Sequence, residues 1–496
     1  MGNKYFSAPL QLFVILCLFT ASLSNAQIGI GTTAPNPSSV LDVVSTSQGM
    51  LTPRMTTLQR SAIASPADGL LVYDTDLKTF YHFSSGAAAW IPFGGALPRL
   101  NFKRIRSTDN LATVLAAELS AGGGSKYILA SNTLYEINGQ VLFNLPIDLN
   151  NAYLDGRDAN EDIVMRTSGN LFEGTTGGSI RSLTVSTPGA TVFSLNASSA
   201  TSTFLMRDCI VANSNSIGTI SGYGLVFMSI VNFSGNSNGI TYNNIGQLLL
   251  SNQAWFSNNL GTYEKFTGSF NLIAKQGGFT NVNAAGVGLD VSTAGLTIAG
   301  AAVLESVVYT GPVPNNYVMP YTSGTYSGYN FNNSWSVRSA GLPNETDGNA
   351  AGGFAMDYPV GNGLTVTLNN TNPSDIVKVG VSGTPPTTYS SLFRFITDAP
   401  NSLKYLGKNK RIFQISGSIS FQVPNTGTYI VYIAKNGSVL SQYKIYGRGA
   451  AVNDIVVLPL NASAELATND VVDVRVQRYS GSTGSILVPN MTLTIK

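Results

Sequence analysis

The apolar positions of this 496-residue chain fall into three successive rhythms. From residue 98 to about 340 they come as short runs broken by Gly, Asn and Pro: Tyr127-Ile128-Leu129, Leu134-Tyr135-Glu136-Ile137, Val141-Leu142-Phe143, Ile147-Asp148-Leu149 and Tyr153-Leu154-Asp155. Runs this short, closed by turn formers, predict strands. One stretch differs. Ser107 to Leu119 offers capping residues followed by apolar positions at helical spacing, and predicts a helix that Gly122-Gly123-Gly124 stops.

Further on the runs repeat. Val211, Phe233, Phe256, Phe279 and Leu304 close similar phrases at steps of 22 to 25 residues, and Ile217, Ile240, Tyr263 and Val287 form a second column in step with them. Asn213, Asn236, Asn259 and Asn283 lie between, where stacked turns would set an amide ladder. Two apolar columns with one period predict coils that bury their inward residues against neighbouring coils. No Leu-x-x-Leu-x-Leu phrase recurs, so a leucine-rich repeat is excluded.

After a Gly-, Ala- and Asn-rich stretch at 341–357 the rhythm becomes strict alternation. Phe413-Gln414-Ile415-Ser416, Thr428-Tyr429-Ile430-Val431 and Val472-Asp473-Val474-Arg475-Val476 each present one apolar face. Lys435-Asn436-Gly437-Ser438 marks a tight hairpin. An antiparallel sandwich is expected over 358–496.

These phrases carry resemblances. A short helix leading into a strand ladder resembles the capped start of a pectate-lyase-like right-handed parallel β-helix. Tyr432-Ile433-Ala434-Lys435-Asn436-Gly437, Leu466-Ala467-Thr468-Asn469-Asp470-Val471 and Met491-Thr492-Leu493-Thr494-Ile495-Lys496 resemble the C1q/TNF-like jelly roll, a likeness that implies a homotrimer. Residues 27–97, with Gln27-Ile28-Gly29-Ile30-Gly31, Gly49-Met50-Leu51-Thr52-Pro53-Arg54 and Gly69-Leu70-Leu71-Val72-Tyr73-Asp74, resemble a module at the start of exported bacteroidete surface proteins and of phage tail-fibre-like proteins. It is expected to act as an attachment or trimerising collar. The fold class is therefore all-β: a short collar, a right-handed parallel β-helix over 98–340, a linker at 341–357 and an antiparallel jelly-roll sandwich.

Composition narrows the function. Lys plus Arg number 28 against 26 Asp plus Glu, so no overall field favours nucleic acid. Lys4, the apolar run Leu12 to Phe19 and the small residues Ser24 and Ala26 read as a secretory signal peptide over 1–26, giving a secreted or cell-surface product without a membrane span. Its removal would leave Cys209 alone, placed in an apolar column and expected to point inward.

Two clusters are candidates for chemistry or binding. Asp155, Asp158, Glu161 and Asp162, with Arg166, would be the acids of a polysaccharide lyase or hydrolase; the same residues suit a solvated turn. Residues 201–300 add only Asp208, Glu264 and Asp290 as acids. The single His82 excludes a His-dependent triad in the β-helix of one chain, and no metal or cofactor is expected. Tyr317, Tyr321, Tyr326, Tyr329 and Trp335, set among Gly, Ser and Asn, suit either ligand contact or packing of the β-helix exit. The leading expectation is a non-catalytic fibre or adhesin that presents a glycan- or protein-binding end. The rivals are a polysaccharide-active enzyme and a phage tail-spike or fibre protein.

Overall fold

A computed structural model describes residues 27–93, 100–369, 375–380 and 385–496. The expected signal peptide lies outside the described residues. The chain divides into two units, residues 1–100 and 101–496.

In the first unit, Ile28–Ile30 and Leu41–Val43 form a parallel pair. A separate four-stranded sheet joins Arg54–Met55, Leu71–Asp74, Thr79–Ser84 and Ala89–Pro92. A five-residue helix, Thr57–Ser61, opens on a capping box made by Thr56 and Gln59. Asp74 anchors this small body. It accepts bonds from Arg60, Thr57 and the backbone N–H groups of Asp76 and Leu77. Burial pushes its carboxyl up, but those donors outweigh burial and hold it at about 2.

The second unit begins with a parallel β-helix of about seven turns. One sheet climbs from Phe102–Arg106 to Trp335–Ala340, and another of nine strands from Tyr127–Ile128 to Val318–Met319. A short third ladder, Gln140–Leu142, Ile163–Met165 and Thr184–Ser186, merges with the first at Thr203–Ala212. From there each long strand turns a corner at residues with positive φ: Asp208, Ile230, Asn252, the pair Gly277 and Gly278, and Ser306.

Inward columns explain the stability. Val185, Val211, Phe233, Trp255, Thr280 and Tyr309 are register neighbours on successive coils. A second column runs Met206, Met228, Leu250, Lys275, Leu304, Val337. Each side chain covers the one below, so the coil has no separable core.

The repeat is real, but its expected columns slip at two points. Phe256 lies one residue after the inward position held by Trp255 and Phe279 one residue before that held by Thr280, and the two rings meet edge to face outside at 5.1 Å. Leu304 sits on Lys275, on the other side of the corner. The coil is also not constant. It takes 22 residues from Met206 to Met228 and 33 from Leu304 to Val337. The amide ladder is likewise offset by one at its start: Ser214, not Asn213, donates its N–H to Asn236 Oδ1, and the Asn236 N–H in turn donates to Asn259 Oδ1. Asn213 instead takes the turn's positive φ of 53°.

The expected helix from Ser107 to Leu119 is two short pieces, Leu111–Val114 and Ala116–Ala121, broken at Leu115. Ser107 to Asp109 form a turn, with Asp109 accepting from the Arg106 N–H. Glu118 locks the second piece over the first coil, bonded to Lys103 at 2.7 Å and to the Tyr135 hydroxyl at 2.7 Å.

The C-terminal part is a sandwich of six- and seven-stranded sheets. Ile455–Leu466 alternates exposed and buried along its whole length. Asn436 and Gly437, at φ 49° and 81°, make the two-residue turn between Lys435 and Ser438. The stretch 341–357 holds more than a connection. Ala351–Asp357 is a strand of the six-stranded sheet, paired on both sides with Thr387–Phe393 and Gly484–Ile495.

Candidate functional site

The acid cluster lies on a turn between early coils. Asp162 is buried and accepts three backbone N–H groups, from Gly139 at 2.8 Å, Arg157 at 2.6 Å and Asp158 at 3.1 Å. Burial raises its pKa, but those bonds outweigh burial and leave it low. A carboxyl held this way stays ionised at neutral pH and donates no proton. Asp158 accepts from the backbone and side chain of Asn160, at 2.8 and 3.0 Å, and Glu161 is exposed. Asp155 is paired with Arg181 on the next coil. Arg166 is buried apart from this pairing, and burial lowers its pKa.

Asp155 belongs to an outward column. Arg104, Glu136, Asp155, Arg181 and Arg207 follow one another on successive coils, and Ser229, Ser251 and Gln276 continue the line. Glu136 bridges Arg104 at 2.6 Å and Arg157 at 3.1 Å. Opposite charges face each other at Arg104–Glu136 and Asp155–Arg181, as cross-strand pairing favours, while Glu136–Asp155 and Arg181–Arg207 set like charges side by side. The acids in this line are engaged by Arg.

The aromatic cluster closes the far end of the β-helix. Trp335 is buried, lies parallel to Phe266 at 6.2 Å, and donates its Nε1–H to the Tyr321 hydroxyl at 3.0 Å. Tyr317 is buried and donates to the Gly311 carbonyl at 2.9 Å. Tyr326 and Tyr329 are half-buried at the rim, both against Phe393 of the sandwich, with Tyr329 stacked at 4.2 Å. Of the five aromatic residues, three face inward and two line the rim.

This junction depends on residues that pattern reading did not single out. Arg394, 1 % exposed, donates to the carbonyls of Trp335 at 2.6 Å and Glu345 at 3.0 Å and to Asn333 Oδ1 at 2.7 Å. Its guanidinium also lies 3.3 Å from Asp347. Glu345 is fully buried and accepts the N–H groups of Asn330 and Phe331 at 2.8 and 3.0 Å. Burial raises its carboxyl to about 6, partly offset by those donors and Arg394. An Arg within an otherwise apolar phrase, Leu392-Phe393-Arg394-Phe395, was the available signal.

On the sandwich, Thr387, Tyr389, Asp398 and Pro400 line an open groove of about 330 Å³. Tyr389 is half-buried there, its hydroxyl accepting from the Asn401 N–H at 3.1 Å, and Asp398 is paired with Lys404. Cys209 is buried, and burial pushes its thiol up to about 12, so it packs as an apolar residue. Among the described residues no group of three or more His, Cys, Asp or Glu side chains could hold a metal ion, and no helix is long and apolar enough to cross a membrane.

No curated protein sequence matches this chain. Among solved structures, it is similar to the PRD1 vertex protein P5, with 13% identity over 30% of this chain and 95% of that one, at a TM-score of 0.21. It is also similar to the enzymatically active domain of bacteriophage CBA120 tailspike protein 4, with 10% identity over 90% of this chain and 78% of that one, at a TM-score of 0.22. Superpositions this loose transfer no assignment. Residues 29–109 match the family model described as the phage tail like trimerisation region.

Proposed function

We propose that this chain is a non-catalytic, fibre-like extracellular protein that assembles as a homotrimer. In this reading its N-terminal region joins three copies, its β-helix acts as a stiff spacer, and its C-terminal sandwich meets a surface glycan or protein. The observation that carries the reading is the match of residues 29–109 to a trimerisation region. The apolar side chains left open there support it. Ile28, Ile30, Leu41 and Val43 of the parallel pair are 58, 56, 51 and 42 % exposed, and Met50 and Leu51 follow at 60 and 77 %. Apolar residues this close together and this open mark an association surface.

The spacer role follows from stacking, since each coil is supported only by its neighbours and bends poorly. For ligand contact, the rim tyrosines Tyr326 and Tyr329 and the groove beside Tyr389 offer aromatic faces flanked by hydroxyl and amide groups. Tyr317, Tyr321 and Trp335 would act beneath that rim as its support.

Light scattering on the purified chain from residue 27 onward tests the assembly. The expected mass is that of three chains. Replacing Ile28, Ile30 and Leu41 together by Asp is expected to give monomers that keep their β-sheet spectrum. A stable monomer of the unaltered chain at micromolar concentration overturns the reading. Incubation with neutral and acidic polysaccharides tests the absence of catalysis: new reducing ends or unsaturated products, abolished by Asp158→Asn, would overturn it.

A further inference from the structure

Lys275 occupies a position that stacking reserves for apolar residues, between Leu250 and Leu304 in an inward column. It is 2 % exposed. Its Nζ lies 3.0 Å from Glu264 Oε1 and 3.5 Å from Gln253 Oε1. Glu264 is fully buried on the other long sheet, where its register neighbours are Ile240 and Leu289. Gln253 is 2 % exposed, and its carbonyl oxygen accepts the Tyr263 hydroxyl at 3.1 Å. Trp255 stacks on Tyr263 at 4.4 Å, and Lys275 Nζ stands 4.9 Å from the centre of the same ring.

A structural ion pair explains this group poorly. Buried pairs are weak stabilisers, and an apolar residue at each site would pack as well. The network is also poorly closed: Gln253 Nε2 and Glu264 Oε2 are buried without a well-formed hydrogen bond, with the Tyr242 and Tyr263 hydroxyls beside these two side chains. An unmade bond in such a site is costly. These two atoms are those a reaction would use, a leaving nitrogen and a carboxylate oxygen.

We propose that Lys275 and Gln253 become joined by an intramolecular isopeptide bond after folding, with Glu264 as the catalytic acid and base. Glu264 first takes a proton from Lys275, turning a buried ion pair into two neutral groups, which the apolar interior favours. Burial raises the Glu264 carboxyl in the same sense, against the opposing pull of Lys275 and of the Tyr263 hydroxyl. The free amine attacks Gln253 Cδ, and the Tyr263 hydroxyl steadies the oxygen as negative charge builds on it. Glu264 passes its proton to the departing amide nitrogen and takes up the one that the new bond sheds. A C–N bond to Lys275 forms, the C–N bond of the carboxamide breaks, and one ammonia leaves. No oxidant or cofactor enters.

Fixed neighbours in a dry interior supply the proximity that makes an amine and an amide react. The bond would staple Gln247–Trp255 to Ser269–Asn281, which are adjacent coils. It would give the β-helix a covalent lock that its one described cysteine, buried and unpaired, does not provide.

Proteolysis of the folded full chain, read by tandem mass spectrometry, is the test. The expected product is a branched peptide joined at Gln253 and Lys275, lighter than its two parts by one ammonia. Peptide assignment is needed because a chain starting at Gln27 would also shed ammonia on cyclising. Recovery of Gln253 and Lys275 only in unjoined peptides overturns the proposal, whatever the variants do. Lys275→Arg and Glu264→Gln, each checked for folding by circular dichroism, are expected to lose the branched peptide. Full joining in Glu264→Gln removes the role given to Glu264.

Discussion

Single buried carboxyls in this molecule are set in opposite directions by how many donors reach them. Asp162 has three backbone N–H groups and is held low, whereas Glu345 has two in a deeper site and rises to about 6. The sign of the pH effect follows. A carboxyl whose folded pKa lies above its ordinary value of 4.5 favours the folded state at low pH, fully below 4.5, and that contribution is lost as pH rises through 6. A shift of this size corresponds to about 2 kcal/mol. Protection of the Asn330 and Phe331 amides, corrected for intrinsic exchange, is therefore expected to fall between pH 4.5 and 6.5 or so. Glu345→Gln should flatten that profile. An unchanged profile in the variant would show that another group governs it.

The residue scale is also where pattern reading reached least far. Gln253, Glu264, Lys275, Glu345 and Arg394 are polar letters at positions whose inward orientation only the register reveals. Glu264 follows Tyr263 in Thr262–Thr267, where both side chains are buried, so simple alternation breaks at that point. The tyrosines between 317 and 335 could be placed at the exit by composition, but inward and outward rings read alike in sequence.

At the scale of elements, the parallel ladders and the alternating strands were legible because each carries a period. The Asn436-Gly437 turn was legible because two positive φ angles demand those residues. The columns slipped at Phe256 and Phe279 because coil length changes, and an aromatic residue suits either face of a strand. The interrupted helix has a similar cause: apolar spacing from Leu111 to Leu119 suits one helix, yet the chain bends at Leu115 to bury that side chain over the first coil. The buried amide ladder is the clearest test at this scale. Asn259 accepts the backbone N–H of Asn236 at 2.9 Å and donates to the Phe233 carbonyl at 2.7 Å. Asn259→Ala strips both and leaves a buried N–H unmatched, so a loss of about 1–3 kcal/mol is expected in denaturant unfolding. A neutral result would mean that water takes over the turn.

For the whole molecule, the decisive joint is the one at Arg394. The side chain comes from the sandwich, yet its acceptors at Asn332, Asn333, Trp335 and Glu345 belong to the last coil and the segment after it. Lys408 adds a bond from the sandwich to the Gly300 carbonyl at 2.7 Å. Arg394→Met keeps much of the volume and removes the donors, with an expected cost of about 3–5 kcal/mol. Calorimetry should then resolve the β-helix and the sandwich as separate transitions. A single cooperative transition at the original temperature would show that apolar contact alone joins them.

The different covers at the two ends of the coil also impose an order on biosynthesis. The first coil is covered early by two helical pieces, Leu111–Val114 and Ala116–Ala121, which the ribosome delivers first. The last coil is covered instead by the sandwich, which arrives only with the final third of the polypeptide. Until that arrives, the youngest coil is an unfinished edge able to recruit a strand from a sister chain, so any self-association and completion of the coil compete for the same interval.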